Sequence, residues 1–358
     1  MNIVIIGAGN IGMLMAADFA HNAQNTVTLI SAHPKTDSTH LRVFNPDDSI
    51  SFEVDVAAIT PDYDVISKAD AVFITHPTFM LKQTAQRILP FVHPGLWIGV
   101  VPGAMGEFYF QEHIALGARL VGLQRVHAVA RLAETPNSVY ALGRKPELFV
   151  AALPARYTFE AKKLCEYLFE MPVVTLPTYL IETLTPSNPI LHTSRLFSMF
   201  KSWEPGMTYP ENFLFYEGWT DDASQTLIAA DAEVQTLCRK IESQSDLNLS
   251  GVRSLKDHYE SPTVEAMTAK ISHIPAFAGL SSPMKESDGG WIPDFSSRYF
   301  VADFAYGMKT IIDIARLMDV PTPTIDQMWE WYVSTAQPEQ IIADLPTNQT
   351  DFIELYQD

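Results

Sequence analysis

Two segments in the second half of the chain hold residue types that move protons. In Ser187-Asn188-Pro189-Ile190-Leu191-His192, Asn188 is a good N-cap and Pro189 suits the first helical position, so His192 falls in the first turn of a helix. The positive end of the helix dipole disfavours imidazolium there and keeps the ring neutral or poised near neutrality. Histidine is the side chain best suited to exchange protons at that pH, although a histidine satisfied by its neighbours is the plainer alternative. In Arg298-Tyr299-Phe300-Val301-Ala302-Asp303-Phe304-Ala305-Tyr306-Gly307, Asp303 sits near the start of a long apolar helix. A carboxylate so placed is either an N-terminal cap or the partner that orients a histidine and stabilises its protonated form.

A different chemistry is written at the N-terminus. The apolar run Ile3-Val4-Ile5-Ile6 turns at once on Gly7-Ala8-Gly9-Asn10-Ile11-Gly12, and a helical pattern through Leu14, Met15 and Phe19 follows. Strand, glycine turn and helix in this order bind a dinucleotide pyrophosphate. Gly7 makes the turn, Gly9 lets the backbone approach the phosphates, and Gly12 brings the helix close to the strand, so that amides from Asn10 and Ile11 onward face the anion. A nicotinamide or flavin dinucleotide is therefore expected. Sheets specific for NAD usually place a carboxylate at the end of the second strand, for the ribose 2′-hydroxyl. Here Ser31-Ala32-His33-Pro34-Lys35 holds that place. A hydroxyl, an imidazole and an ammonium at Ser31, His33 and Lys35 suit a 2′-phosphate better, which favours NADP(H) over NAD(H). Pro77 and Thr78 follow another strand end and should border the cofactor, whereas His76 reads as a loop residue.

The elements that must position these residues divide the chain. Its 358 residues predict two domains, each of roughly 100–200 residues, and a hydrophobic fraction of 47% is ample for two cores. Through residue 184, strands alternate with helices (Ala71 to Thr75, Leu96 to Val101, Leu120 to Val121, Val126 to Ala130, Val139 to Leu142, Val173 to Leu176), as in a doubly wound parallel sheet. From 185 to 358 the strand signals almost stop. Helices are expected over Pro189 to Phe200, Ala223 to Ile241, Val264 to Ile274, Asp303 to Met318 and Gln327 to Val333, the last with Thr324 and Gln327 in capping-box spacing. Residues 281–294 read as a flexible, turn-rich loop. The fold class is thus α/β plus all-α, an N-terminal Rossmann domain followed by a helical domain, with the substrate cleft expected between them. A net charge of −18 and a pI near 4.9 argue against nucleic acid or an anionic membrane as partner. Cys165 and Cys238 lie far apart with no metal spacing, and a reduced, cytoplasmic setting is expected.

The glycine fingerprint, the Asn-Pro-x-x-His segment and the Arg-Tyr-Phe-x-x-Asp-x-x-x-Gly segment occur in the same order in opine dehydrogenases of the octopine/nopaline type, which this chain resembles over most of its length. The pieces Pro283-Met284 and Trp291-Ile292-Pro293-Asp294 are similar too. The resemblance implies NAD(P)-dependent condensation of a 2-oxo acid with the amino group of an amino acid. It makes His192 the general acid/base and Asp303 its partner. Arg298 becomes a binder of substrate carboxylate with Asn188 nearby, and Gln124-Arg125 and Arg131 resemble a family stretch at the cleft. Family members usually have an acidic residue immediately before the matched aspartate, where this chain has Ala302.

The reaction so implied needs a base to free the amine, an acid to expel water, and cations for two carboxylates. For the cations Arg298, Arg131, Arg195 and Lys201 are the candidates, in that order. The run Phe213, Phe215, Tyr216, Trp219 fits helical core or a subunit contact better than a pocket wall, and a helical second domain with exposed aromatics suits a homodimer. Two other readings stay open: a 2-hydroxyacid dehydrogenase of the ketopantoate reductase type, and a non-catalytic dinucleotide-sensing protein.

Overall fold

A computed structural model describes the chain apart from Lys35, Asp37, Pro186, Thr347 and Asp358, and for Ala276 only the backbone. It forms two compact units, residues 1–183 joined by the chain from Glu354 onward, and residues 184–353. Residues 354–357 group with the first unit.

The described residues of the first unit form twelve strands: β1 (Asn2–Ile6), β2 (Thr26–Ile30), β3 (His40–Phe44), β4 (Ile50–Asp55), β5 (Ala58–Thr60), β6 (Ala71–Ile74), β7 (Trp97–Val100), β8 (Arg119–Leu123), β9 (Ala128–Leu132), β10 (Ser138–Arg144), β11 (Leu148–Leu153) and β12 (Val173–Thr175). Eight make one sheet in the order β12-β11-β8-β7-β6-β1-β2-β5. Its centre is parallel, and β1, β6 and β7 are Val/Ile-rich and largely buried, as strands covered on both faces must be. Parallel pairing fails at one place, where β11 runs antiparallel to β8.

The strands expected around Val126 and Val139 exist but leave this sheet. As β9 and β10 they join β3 and β4 in a second sheet, ordered β4-β3-β10-β9. The helix Asn10–His21 lies against both sheets, so most of its length is buried and its pattern is apolar nearly all round. Phe19 on that helix meets Phe73 and Phe169 edge-on, with ring centroids 5.4 and 4.9 Å apart.

The second unit is built on helices Asn188–Phe200, Asp221–Gln244, Val264–Ser272, Lys309–Leu317 and Pro323–Ala336. Residues expected as a loop contain a hairpin, β13 (Met284–Ser287) with β14 (Gly290–Pro293). Gly289 and Gly290, at φ +90° and +144°, make its turn. The last long helix starts at Pro323, so Thr324 lies inside it and does not cap. Instead the Glu233 carboxylate of the helix Asp221–Gln244 accepts from the amides of Thr324 and Ile325, at 2.7 and 3.0 Å. No described helix is long and apolar enough to cross a membrane.

Candidate active site

In the first unit the glycine turn sits at the carboxyl end of β1, beside the end of β6, where the strand order reverses. Gly7 is at φ +107°, and a Cβ on Gly12 would lie 1.8 Å from the Gly7 carbonyl oxygen, so helix and turn are as close as two glycines allow. A Cβ on Gly9 would meet nothing, leaving open space in front of a helix start that no side chain caps. The amides of Asn10, Ile11 and Gly12 therefore have no helical acceptor, which fits a pyrophosphate. The Asn10 side chain is engaged elsewhere, accepting from the Leu132 amide at 2.9 Å and tying the turn to β9. Pro77 precedes the helix that Thr78 opens, and the residues found beside Gly7 are Thr75 and His76. His76 bonds to Thr84 at 2.8 Å, and burial, then Arg87, hold its pKa below the ordinary value. Ser31 and His33 line a cleft with Met13, Leu132, Thr135 and Asn137, and no carboxylate is among the lining residues described. Lys35 lies outside the described residues.

In the second unit His192 and Asp303 meet, although 111 residues separate them. The helix bearing His192 begins one residue earlier than expected. Ser187 is the N-cap, its carbonyl accepting from Ile190 and Leu191, and Asn188 is an exposed residue inside the first turn. His192 is 7% exposed. Its Nδ1 lies 2.8 Å from Asp303 Oδ2, and because a carboxylate only accepts, Nδ1 carries the hydrogen. Nε2 lies 2.9 Å from the Tyr216 hydroxyl. The ring packs against Tyr299 at 4.6 Å and edge-on against Phe215 at 5.5 Å.

Asp303 is not a helix cap. A helical turn already runs from Arg298 to Val301, and Asp303–Met308 forms a π-helical segment before the helix Lys309–Leu317. Gly307 donates to the Ala302 carbonyl five residues back, at 3.0 Å, the spacing that defines this turn. The Ala305 carbonyl takes the amide of Ile342. A Cβ on Gly307 would stand 2.6 Å from Pro189 Cγ, so only glycine lets this turn approach the start of the His192 helix so closely.

Of the expected cations, Arg298 is exposed one turn before Asp303, and its guanidinium has no partner among the described residues. Arg195 is buried, donates from Nε to the Phe215 carbonyl at 3.0 Å, and burial pushes it down to about 10. Lys201 is paired at the surface with Asp222, at 2.7 and 2.8 Å. Neither of these two is placed as a free carboxylate binder. Gln124 follows β8, and Arg131 is exposed on β9 with its Nη1 on the Ala130 carbonyl; both belong to the first unit. Nothing in the residue pattern announces the contact with Tyr216, hidden in an aromatic run, or the π-helical turn.

Residues 175–335 match the family model for the NAD/NADP octopine/nopaline dehydrogenase alpha-helical domain, and residues 3–144 match that for ketopantoate reductase PanE/ApbA. The opine dehydrogenase of Haliotis discus hannai is 27% identical over 83% of this chain and 77% of its own length. The octopine dehydrogenase of Pecten maximus is 27% identical over 76% of this chain and 72% of its own. A solved octopine dehydrogenase with NADH and L-arginine superposes with a TM-score of 0.82 at 23% identity, covering 99% of this chain and 94% of that one. A yersinopine dehydrogenase with NADP+ gives 0.62 at 12% identity, covering 99% and 96%. Glycine turn, helical-domain match and relatives agree: the chain is similar to opine dehydrogenases over most of its length, and its residues 175–335 match the model of their helical domain.

Proposed function

We propose that this protein is an NAD(P)H-dependent opine-type dehydrogenase that joins a 2-oxo acid to the amino group of an amino acid and reduces the product to a secondary amine. The observation that carries the reading is the bond between His192 and Asp303, two motif residues brought together from opposite ends of one helical unit. Asp303 orients the ring and offsets its charge when protonated. His192 is the base that stores the proton given up by the substrate ammonium, which frees the amine to attack the oxo carbon, and that proton later goes to the carbinolamine hydroxyl, which leaves as water. The hydride that reduces the imine would come from a reduced nicotinamide held at the glycine turn. Arg298, exposed and without a partner among the described residues, grips a substrate carboxylate, and Asn188, Arg131 and Gln124 are the further side chains we assign to substrate.

The cofactor we assign is NADP(H), held by Gly7, Gly9, Asn10, Ile11 and Gly12 at the pyrophosphate, with Pro77 and Thr78 alongside. Ser31, His33 and Lys35 are the side chains we assign to a 2′-phosphate, supported by the absence of a carboxylate among the described residues that line the cleft with Ser31 and His33. The test is a matrix of amino acids against pyruvate and related oxo acids, followed by cofactor absorbance with NADH and NADPH in parallel. Oxidation only when both substrates are present is expected. Turnover with an oxo acid alone would favour a hydroxyacid-forming reductase, a reading encouraged by the match of residues 3–144. A tenfold preference for NADH would overturn the cofactor assignment.

A further inference from the structure

An imidazole exchanges protons only at its two nitrogens. In His192 one faces Asp303 and the other faces the Tyr216 hydroxyl, 2.8 and 2.9 Å away. The geometry points to a three-membered proton relay, Asp303–His192–Tyr216, in which the phenol oxygen and not the ring nitrogen hands the proton to the substrate. This rests on the opine-type reading above and extends it to the atom through which the proton leaves the protein.

Tyr216 is held as a fixed part. It is 5% exposed, its ring is stacked on Phe277 at 4.4 Å and 20°, and it lies parallel to Trp219 at 6.4 Å and 12°. Its backbone carbonyl accepts from the Trp219 amide, and the Phe215 amide is bonded to Leu280. Arg195 stands one turn after His192 on the same helix and grips the Phe215 carbonyl. A guanidinium buried for a single backbone bond is costly, and its placement fixes the residue beside the phenol to the helix that carries the imidazole. Swinging Tyr216 aside to bare Nε2 would break these contacts together.

A phenol conducts a proton without ionising, since it accepts on one lone pair while releasing its own hydrogen. In the first step Oη accepts a proton from the substrate ammonium as its own hydrogen passes to Nε2, and the imidazolium is balanced by Asp303. In the dehydration step Nε2–H returns to Oη while Oη–H goes to the carbinolamine oxygen. The C–O bond breaks, the nitrogen lone pair forms C=N, and water departs. One proton is borrowed and returned, and both side chains end as they began.

Tyr216→Phe removes the hydroxyl and keeps the stacked ring, so the fold and cofactor affinity should be retained. The relay predicts a fall in kcat of about 100-fold or more on the best substrate pair, with KM for the cofactor unchanged. In the resting enzyme, 15N-histidine NMR should report His192 as the Nδ1–H tautomer with a hydrogen-bonded Nε2. In the variant the Nε2 resonance should move to that of a free ring nitrogen. Turnover within threefold of the wild type, or above it, would mean that substrate displaces the phenol, and the relay fails. An Nε2 resonance untouched by the substitution overturns it as well. Wild-type protein inactive on every substrate pair overturns the enzymatic reading, and the relay with it.

Discussion

At the scale of single residues, the site is defined by which atoms are already spoken for. Asp303 and Tyr216 fix both nitrogens of His192, whereas the Arg298 guanidinium waits in solvent. His192→Ala should cut kcat about 10²–10⁴-fold and leave NAD(P)H affinity nearly intact, as cofactor fluorescence titration beside steady-state kinetics would report. Asp303→Asn should act in the same direction with a smaller loss, and a loss below tenfold in either variant counts against the dyad. Arg298→Lys should raise KM for the oxo acid about tenfold or more with a lesser effect on kcat, because an ammonium cannot replace a bidentate fork. The dyad was legible in the sequence because each partner sits in a short, specific motif. Tyr216 was not, since a contact over 24 residues leaves no periodicity to read. Arg195 reads in the sequence as a candidate carboxylate binder because charge alone does not report that a helix face is buried.

At the scale of elements, the π-helical turn and the glycine within it place the carboxylate. Gly307→Ala should push the turn off Pro189 and lower turnover at least tenfold without weakening cofactor binding, a pattern that separates a displaced dyad from general unfolding. Glu233→Ala should lower stability by ~1–2 kcal/mol, visible in denaturant midpoints, because two amides of the helix Pro323–Ala336 lose a carboxylate acceptor. The Rossmann strands were readable because buried parallel strands are continuous apolar runs flanked by turns. Strand β4, the exposed edge of the second sheet, has no such run, and without it nothing marked β9 and β10 as members of a separate sheet. The hairpin at Met284–Pro293 was concealed by its own turn residues, which read as loop. A π-helical turn is invisible to any search for a 3.6-residue period, since it adds one residue to an otherwise helical pattern.

At the scale of the whole molecule, acidity is stored inside as well as on the surface. Glu107 is fully buried, and desolvation lifts its pKa to about 7, against the lowering pull of hydrogen bonds from Thr183, its own backbone and Tyr356. The folded chain therefore keeps a proton that the unfolded chain gives up near 4.5. The stability this group contributes is complete below that value and is lost as pH climbs toward about 7. Glu182, buried nearby and also raised by desolvation, acts in the same direction. The Tm of the wild type should fall between about pH 5 and about pH 8, and Glu107→Gln, neutral throughout, should flatten that slope. The phenol that reaches Glu107, at 3.0 Å, comes from Tyr356, two places from the end of the chain. Tyr356→Phe would remove a donor that pulls the Glu107 pKa down, so the buried carboxyl would hold its proton to a still higher pH.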